Sequence, residues 1–228
     1  IETVGSPERL RPHVKTHKCP QIVRMKIDAG ISKFKCATLS EVKMLANSGA
    51  EDILLAYQPV GPAVKGLIEL IEANKNARIS CIVDSTKALG EIAAAASRWH
   101  VRIPVFIDFD VGMNRTGVLS IETAVKLVKE IDSTDSTDFN GIHAYDGHNK
   151  DLDPGKKKNL AADTVSILDS LRDELNNADL DVDEIVVGGT PMFTQYAPYA
   201  HLTPSPGTLF LHDWESAKHS DLPYEFGA

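Results

Sequence analysis

The sequence has few cysteines and no long apolar run. Its three cysteines, Cys19, Cys36 and Cys81, are unevenly spaced and form no CxxC pair. This argues against a disulfide framework or a structural zinc site, and we expect reduced thiols in a cytoplasmic protein. No apolar run reaches the ~18 residues that a membrane helix requires. The amino terminus does not resemble a signal peptide, and we expect the true start of the protein to be missing.

An excess of positive charge is also lacking. The chain has 24 basic and 32 acidic residues and a formal net charge of −8, which gives a nucleic-acid role no electrostatic support. Its basic run Lys156–Lys158 is expected to lie exposed at the start of a helix rather than to bind phosphate. The hydrophobic share of 43% and the charged share of 25% are typical of an ordinary globular domain.

Short apolar or β-branched runs alternate with helical patterns along nearly the whole chain. The eight predicted strands are Arg9–Lys15, Lys33–Thr38, Asp52–Tyr57, Arg78–Val83, Pro104–Asp110, Phe139–Tyr145, Glu184–Gly188 and His201–Gly207. The predicted helices are Pro20–Ala29, Ser40–Ser48, Gly61–Ala73, Ser85–Arg98, Ser120–Ile131 and Leu160–Asn176. Strands separated by helices pair in parallel through crossovers. Eight such units in ~210 residues favour a (β/α)8 TIM barrel over an open doubly wound sheet.

Polar or glycine-rich clusters follow several of the predicted strands. They are His13 with Lys15, Asp108 and Asp110 with Asn114 and Arg115, His143 with Tyr145 and Asp146, and Gly188 with Gly189 and Thr190. Because catalytic groups of barrels lie at the carboxyl ends of the strands, these clusters are predicted to form one active site.

Lys15 alternates with Arg11 and His13 along the first predicted strand, so the three side chains are expected to point into the barrel. An isolated buried lysine cation costs several kcal/mol. An imine bond would remove that charge. The alternative interpretation is that Lys15 lies just past the strand and reaches solvent.

The motif at Arg11–Lys18 resembles the signature of the D-threonine aldolase and D-serine dehydratase group. These are alanine racemase-like enzymes of fold type III that depend on pyridoxal 5′-phosphate (PLP). Similar segments follow in the same order at Lys35–Glu41, Asp52–Pro62, Asp108–Gly117, Gly141–His148 and Gly188–Thr190. The resemblance spans residues 9 to about 213.

The resemblance assigns roles by position. It implies that Lys15 carries the cofactor covalently and moves the substrate's α-proton, that Arg115 lies at the phenolic oxygen of the ring, and that Tyr145 lies beside the cofactor. A rim ion pair with Asp108 or Asp110 is the alternative for Arg115.

The cofactor's phosphate requires donors at two adjacent strand ends. Phosphate-binding groups are expected at Gly188, Gly189, Thr190, Gly207 and Thr208, because glycine-rich turns let backbone N–H groups approach a phosphate. Barrels often bind phosphate after their last two strands, although a Gly-Gly-Thr triplet can also be a plain turn.

A divalent metal, manganese or zinc, is expected for this group, held by a β-domain that follows the barrel. Its ligands are not expected in this chain, and a metal site built from His13, His17, His143 and His148 is disfavoured. We therefore expect a truncated form, with the PLP-binding barrel at 1–213 and a tail or the start of a linker at 214–228. A homodimer is also expected.

The predicted function is a PLP-dependent lyase for D-β-hydroxy amino acids, either D-threonine aldolase-like or D-serine dehydratase-like. Two alternatives stay open: a non-catalytic PLP-binding barrel protein, and an amino-acid racemase of the same fold.

Overall fold

The computed structural model describes residues 1–151, 153–211, 218, 219 and 222. Seven strands form one parallel sheet in which each strand pairs with the next along the chain. They are β1 Lys33–Cys36, β2 Asp52–Leu55, β3 Arg78–Val83, β4 Ile103–Asp108, β5 Thr137–Ala144, β6 Glu184–Val187 and β7 Leu202–Pro204. The parallel barrel architecture predicted from the alternation is confirmed.

Helices connect the strands in the order that a parallel sheet requires. They are α1 Pro20–Asp28, α2 Leu39–Asn47, α3 Pro62–Ala73, α4 Thr86–Arg98, α5 Ile121–Asp132, α6 Pro154–Asn176 and the short α7 Phe193–Tyr196. Two 3₁₀ turns lie at Pro7–Arg9 and Thr208–Phe210. None of the helices in the described part of the chain is long and apolar enough to cross a membrane.

Side-chain caps explain where several helices begin. Ser85 and Ser120 accept hydrogen bonds from the third residue of α4 and α5, so the two predicted helix starts are confirmed within one residue. Helix α6 begins at Pro154 rather than at Leu160, because Asp153 caps it and proline suits the first helical position. The expectation that the whole basic run is exposed was wrong, since Lys157 is fully buried.

The predicted strand Arg9–Lys15 was wrong: its first residue lies in a 3₁₀ turn, and only His13 forms an isolated bridge, with Lys35. The segment Arg11–Val14 nevertheless hydrogen-bonds to both edges of the sheet. On one side Arg11 N and His13 N donate to the carbonyls of Pro204 and Pro206, at 3.2 and 2.9 Å.

On the other side of this closing segment, Val14 N donates to Lys35 O at 2.9 Å, and Lys35 N donates to Pro12 O at 3.0 Å. The segment therefore closes the barrel between β7 and β1. Pro12 in the closing segment, and Pro204 and Pro206 in the segment that it faces at β7, prevent a regular strand there, since proline has no backbone N–H to donate.

The barrel interior is charged at the amino ends of the strands. Arg11 is fully buried there, with its guanidinium 2.7 Å from Asp52 Oδ1 and 2.6 Å from Glu184 Oε2. Lys33 adds a second cation 3.3 Å from Glu184. Burial alone would raise the pKa of Glu184, but the adjacent Arg11 holds it below its usual value.

Above this charged layer lies a small apolar cluster formed by side chains of four strands, which are Leu54, Ile82, Phe106 and Val186. The Arg11 guanidinium lies 5.8 Å from the Phe106 ring centre, directly against this cluster. The larger core lies between the sheet and the helices. The apolar cluster separates the charged layer from the carboxyl ends of the strands.

The predicted boundary between a barrel at 1–213 and a tail at 214–228 lies outside the described residues, so it stays a prediction.

Replacing Arg11 by alanine should destabilise the barrel strongly, because Glu184 would stay buried without its main counter-charge. We expect the free energy of unfolding to fall by about 3–5 kcal/mol near neutral pH. Urea denaturation measures this difference. It should shrink as the pH falls toward the ordinary pKa of a glutamate, because a protonated Glu184 no longer needs the cation.

Arg102→Ala is the matched control. Arg102 forms an ion pair with Asp138 at 2.6 Å, but its side chain is 58% exposed, so its loss should cost only about 0–1 kcal/mol. Equal losses in the two variants would contradict a structural role for the buried Arg11 pairs.

Candidate active site

Two adjoining cavities open at the carboxyl ends of the strands. The larger, here called the Arg115 cavity, has a volume of about 410 Å³ and includes Arg115, Asp84 and Gln58 in its wall. The smaller, the glycine cavity, has a volume of about 180 Å³. It is lined on one side by Gly189, Thr190, Gly207 and Thr208. The two cavities share four lining residues: His13, Lys15, Lys35 and Tyr145.

Lys15 lies at the junction of these cavities, immediately after the closing segment. Its backbone N–H donates to His13 Nδ1 at 3.1 Å, and its Nζ lies 5.4 Å from the Tyr145 ring centre. Lys15 lies just past the closing segment and is exposed, as the alternative interpretation of the sequence had it, whereas Arg11 and His13 are buried. Partial burial of its amine, and then the Arg115 guanidinium, still lower the pKa of Lys15 against an opposing effect of Glu41. A larger share of Lys15 is therefore the free, nucleophilic amine at neutral pH than for an ordinary lysine.

Arg115 follows β4 and lies close to the same aromatic ring, that of Tyr145. Its Cζ lies 5.2 Å from the Tyr145 ring centre. The rim ion pair with Asp108 or Asp110 is not found among the described residues. Asp110 instead accepts hydrogen bonds from the backbone of Gly112 and Asn114, which leaves the guanidinium available to the cavity.

Two consecutive glycines shape the smaller cavity. Gly188 has φ +73°, and a Cβ there would lie 2.7 Å from the Tyr196 ring. At Gly189 a Cβ would lie 3.1 Å from the Tyr145 ring. Gly189 lines the cavity, whereas Gly188 lies behind it against Tyr196. The glycines thus provide the turn and the space that a bulky anion would need.

Thr190 organises the turn that follows β7. Its hydroxyl oxygen accepts hydrogen bonds from Gly207 N at 3.0 Å and from Leu209 N at 3.3 Å. The Gly207 N–H is therefore used within the fold, whereas the Thr190 hydroxyl proton takes part in neither of these two hydrogen bonds. This is a finer assignment than the sequence allowed.

The structure links two of the predicted strand-end clusters through a buried polar chain that includes Asp108 and His143 and extends to Thr116 and Lys35. Asp108 accepts from Thr116 Oγ1 at 2.8 Å and pairs with His143 Nδ1 at 2.7 Å. His143 Nε2 lies 3.4 Å from Lys35 Nζ. Burial alone would raise the pKa of Asp108, but its hydrogen bonds from His143 and Thr116 hold that pKa below the usual value. Burial lowers the pKa of His143 and keeps its ring neutral.

Asp146 lines the glycine cavity, and its carboxylate is hydrogen-bonded to Tyr196 on α7. It is almost fully buried, and its Oδ2 accepts from the Tyr196 hydroxyl at 2.6 Å. Burial raises the pKa of this carboxyl. The contact fixes the end of β5, where Tyr145 precedes Asp146, against α7.

Among the described residues, no group of three or more histidine, cysteine, aspartate or glutamate side chains is arranged to hold a metal ion.

Comparison with known proteins places this architecture in a family. Residues 2–210 match the family described as alanine racemase, N-terminal domain. This chain belongs to that family. Its members share the barrel that the alternating strands and helices predicted, and the predicted relation to the D-threonine aldolase group is confirmed by the relatives described next.

The curated relatives include aldolases of D-amino acids. A D-threonine aldolase of Arthrobacter sp is 31% identical over 138 residues, which cover 60% of this chain and 36% of the relative. A 3-hydroxy-D-aspartate aldolase of Paracoccus denitrificans is 27% identical over 159 residues, covering 69% of this chain and 41% of the relative. The chain thus matches well under half the length of these two relatives.

A solved D-threonine aldolase from Filomicrobium marinum superimposes with a TM-score of 0.92 at 26% identity, covering 100% of this chain and 62% of that structure.

Arg115→Met should raise the pKa of Lys15, because it removes the largest charge effect on that amine. We expect the pH midpoint for labelling Lys15 to move upward. Reductive methylation with formaldehyde across a pH series, quantified on the Lys15 peptide by mass spectrometry, gives the midpoint. Arg102→Met is the control and should leave it unchanged; an unchanged midpoint in Arg115→Met would contradict the coupling.

Proposed function

We propose that this chain binds PLP covalently through Lys15 and forms the barrel of a lyase that acts on D-β-hydroxy amino acids. The observation that carries the proposal is the position of the Lys15 amine. It lies where a small glycine-lined cavity meets a larger one whose wall includes Arg115, Asp84 and Gln58, and its pKa is lowered by burial and by Arg115.

The residues around Lys15 fit this cofactor. The glycine cavity has room for a phosphate, with Thr190 and Thr208 as donors. The Tyr145 ring and the Arg115 guanidinium suit a flat, anionic heterocycle at the junction. When bound, PLP supplies an aldehyde that captures the substrate's amine and a ring that withdraws electrons from the α-carbon.

The protein's own groups would then divide the work. Lys15 would hold the cofactor, and its amine would move a proton at the substrate's α-carbon. Arg115 would orient the cofactor and offset its negative charge. Tyr145 would pack against the cofactor. His13 accepts the Lys15 backbone N–H, and so fixes the base of the lysine side chain.

The larger cavity suits a small polar substrate. Arg115, Thr116, Gln58 and Asp84 offer both donors and acceptors for carboxylate and hydroxyl groups. The relatives named above act on D-threonine and 3-hydroxy-D-aspartate, and we propose the same class for this chain. A divalent metal, manganese or zinc, is proposed to assist at the β-hydroxyl. The homodimer and the cytoplasmic location stay predictions.

Lys15→Ala should abolish the visible absorption band that lysine-bound PLP gives, because we propose that the cofactor attaches to Lys15 and not to Lys35, the other amine that lines both cavities. Spectra of both proteins after incubation with PLP and gel filtration test this. Lys18→Ala is the matched control: Lys18 lies in the same motif, but its side chain is 61% exposed. A band that persists in Lys15→Ala would refute the proposed attachment site.

The reaction itself is tested with D-threonine and D-serine in the presence of Mn²⁺ or Zn²⁺, using a protein that includes any following domain. Glycine with aldehyde indicates aldol cleavage, whereas ammonia with a 2-oxo acid indicates dehydration. Inversion of configuration alone would favour the racemase, and cofactor binding without turnover would favour the PLP-binding barrel.

A further inference from the structure

A second lysine, Lys35, faces the same junction as Lys15. It lies on β1 and is 2% exposed, yet it lines both the Arg115 cavity and the glycine cavity. Its Nζ lies 5.9 Å from the Tyr145 ring centre, comparable to the 5.4 Å of Lys15 Nζ. A buried amine directed at two cavities is a costly feature unless something binds to it.

Lys35 is not neutralised by an ion pair with any described carboxylate. Its hydrogen-bond partner is His143 Nε2, a neutral acceptor, because His143 Nδ1 faces Asp108 Oδ1 at 2.7 Å. The His143 ring thus lies between the Asp108 carboxylate and the Lys35 amine. The arrangement orients Nζ without supplying it a full counter-charge, and leaves its remaining bonding positions toward the cavities.

The charged and titratable groups around Lys35 are of both signs. They are Lys15, Arg11 and His13 on the closing segment, Asp108 on β4, and His143 and Asp146 on and after β5. Burial, and then the charge of Lys15, lower the pKa of Lys35 to about 7, with Asp108 and Asp146 opposing. One added negative charge nearby would therefore favour the protonated form of Lys35.

We propose that Lys35 is an anion-binding residue of this site, and that it takes up a proton when an anionic oxygen of a ligand occupies the junction of the two cavities. The inference rests on the proposed function, since it assumes that the junction holds a phosphorylated, phenolic cofactor. That oxygen could belong to the phosphate or to the ring. In either case Lys35 gains the counter-charge that its own neighbours do not supply.

The test is isothermal titration calorimetry with pyridoxine 5′-phosphate, which has the phosphate and the phenolic oxygen but no aldehyde and cannot bond to Lys15. Titrations at about pH 8 in two buffers of different ionisation enthalpy give the number of protons taken up, because Lys35 is mostly neutral there before binding. We expect an uptake of roughly one proton per site. Inorganic phosphate, titrated in the same way, shows whether the phosphate alone is responsible.

Two substitutions of Lys35 separate charge from proton uptake. Lys35→Met should lose the uptake and bind the probe about tenfold more weakly. Lys35→Arg should keep most of the affinity but also lose the uptake, because its guanidinium is charged before binding. Lys33→Met, on the same strand but at the Glu184 end of the barrel, should change neither quantity.

Several results would overturn the proposal: binding by the natural protein without uptake, uptake that persists in Lys35→Met, or equal affinity in the two. If pyridoxine 5′-phosphate does not bind at all, the proposed cofactor fails, and the inorganic phosphate titration alone decides for or against Lys35. Circular dichroism and thermal unfolding check that each variant folds. Lys35→Gln serves as a second uncharged variant should Lys35→Met not fold.

Discussion

The segment Arg11–Val14 closes the barrel with backbone hydrogen bonds to the edge strands on both sides. Prolines at 12, 204 and 206 limit the number of donors, so closure also relies on the Arg11 side chain, which reaches Asp52 and Glu184 inside the barrel. Lys15 is the next residue after this segment. The geometry of the proposed cofactor lysine is therefore tied to the contacts that close the sheet, rather than to a mobile loop.

Charge is confined to the two ends of the barrel interior. The Arg11 layer is compensated by its carboxylates, and the four-residue apolar cluster separates it from the carboxyl ends of the strands. There the compensation is incomplete: Lys15, Lys35 and Arg115 all lie within 6 Å of the Tyr145 ring centre, at 5.4, 5.9 and 5.2 Å. Such a concentration of cations around one aromatic ring suits a ligand that is both flat and negatively charged.

Sequence reasoning located most of this site because strand ends are easy to recognise and meet at one face of a parallel barrel. Lys15, Arg115, Tyr145, Gly189 and Thr190 all lie at the two cavities. The sequence-based prediction was wrong where the local structure depends on contacts with segments distant in sequence. The extended Arg9–Lys15 pattern did not reveal that facing prolines would prevent a ladder, and Lys35 was overlooked, although its alternation with Lys33 on β1 already placed both on the inward face. The Thr190 contacts to the turn at Gly207 depend on segments distant in sequence, which local patterns do not encode.

The central claim is that PLP attaches to Lys15 and not to the neighbouring buried amine. The most direct measurement is borohydride reduction of the protein after incubation with PLP, followed by digestion and mass spectrometry of the peptides. The added phosphopyridoxyl mass should be found on the peptide at Lys15, with Lys35 unmodified. Modification of Lys35 in place of Lys15, or no modified peptide from this barrel, would contradict the account.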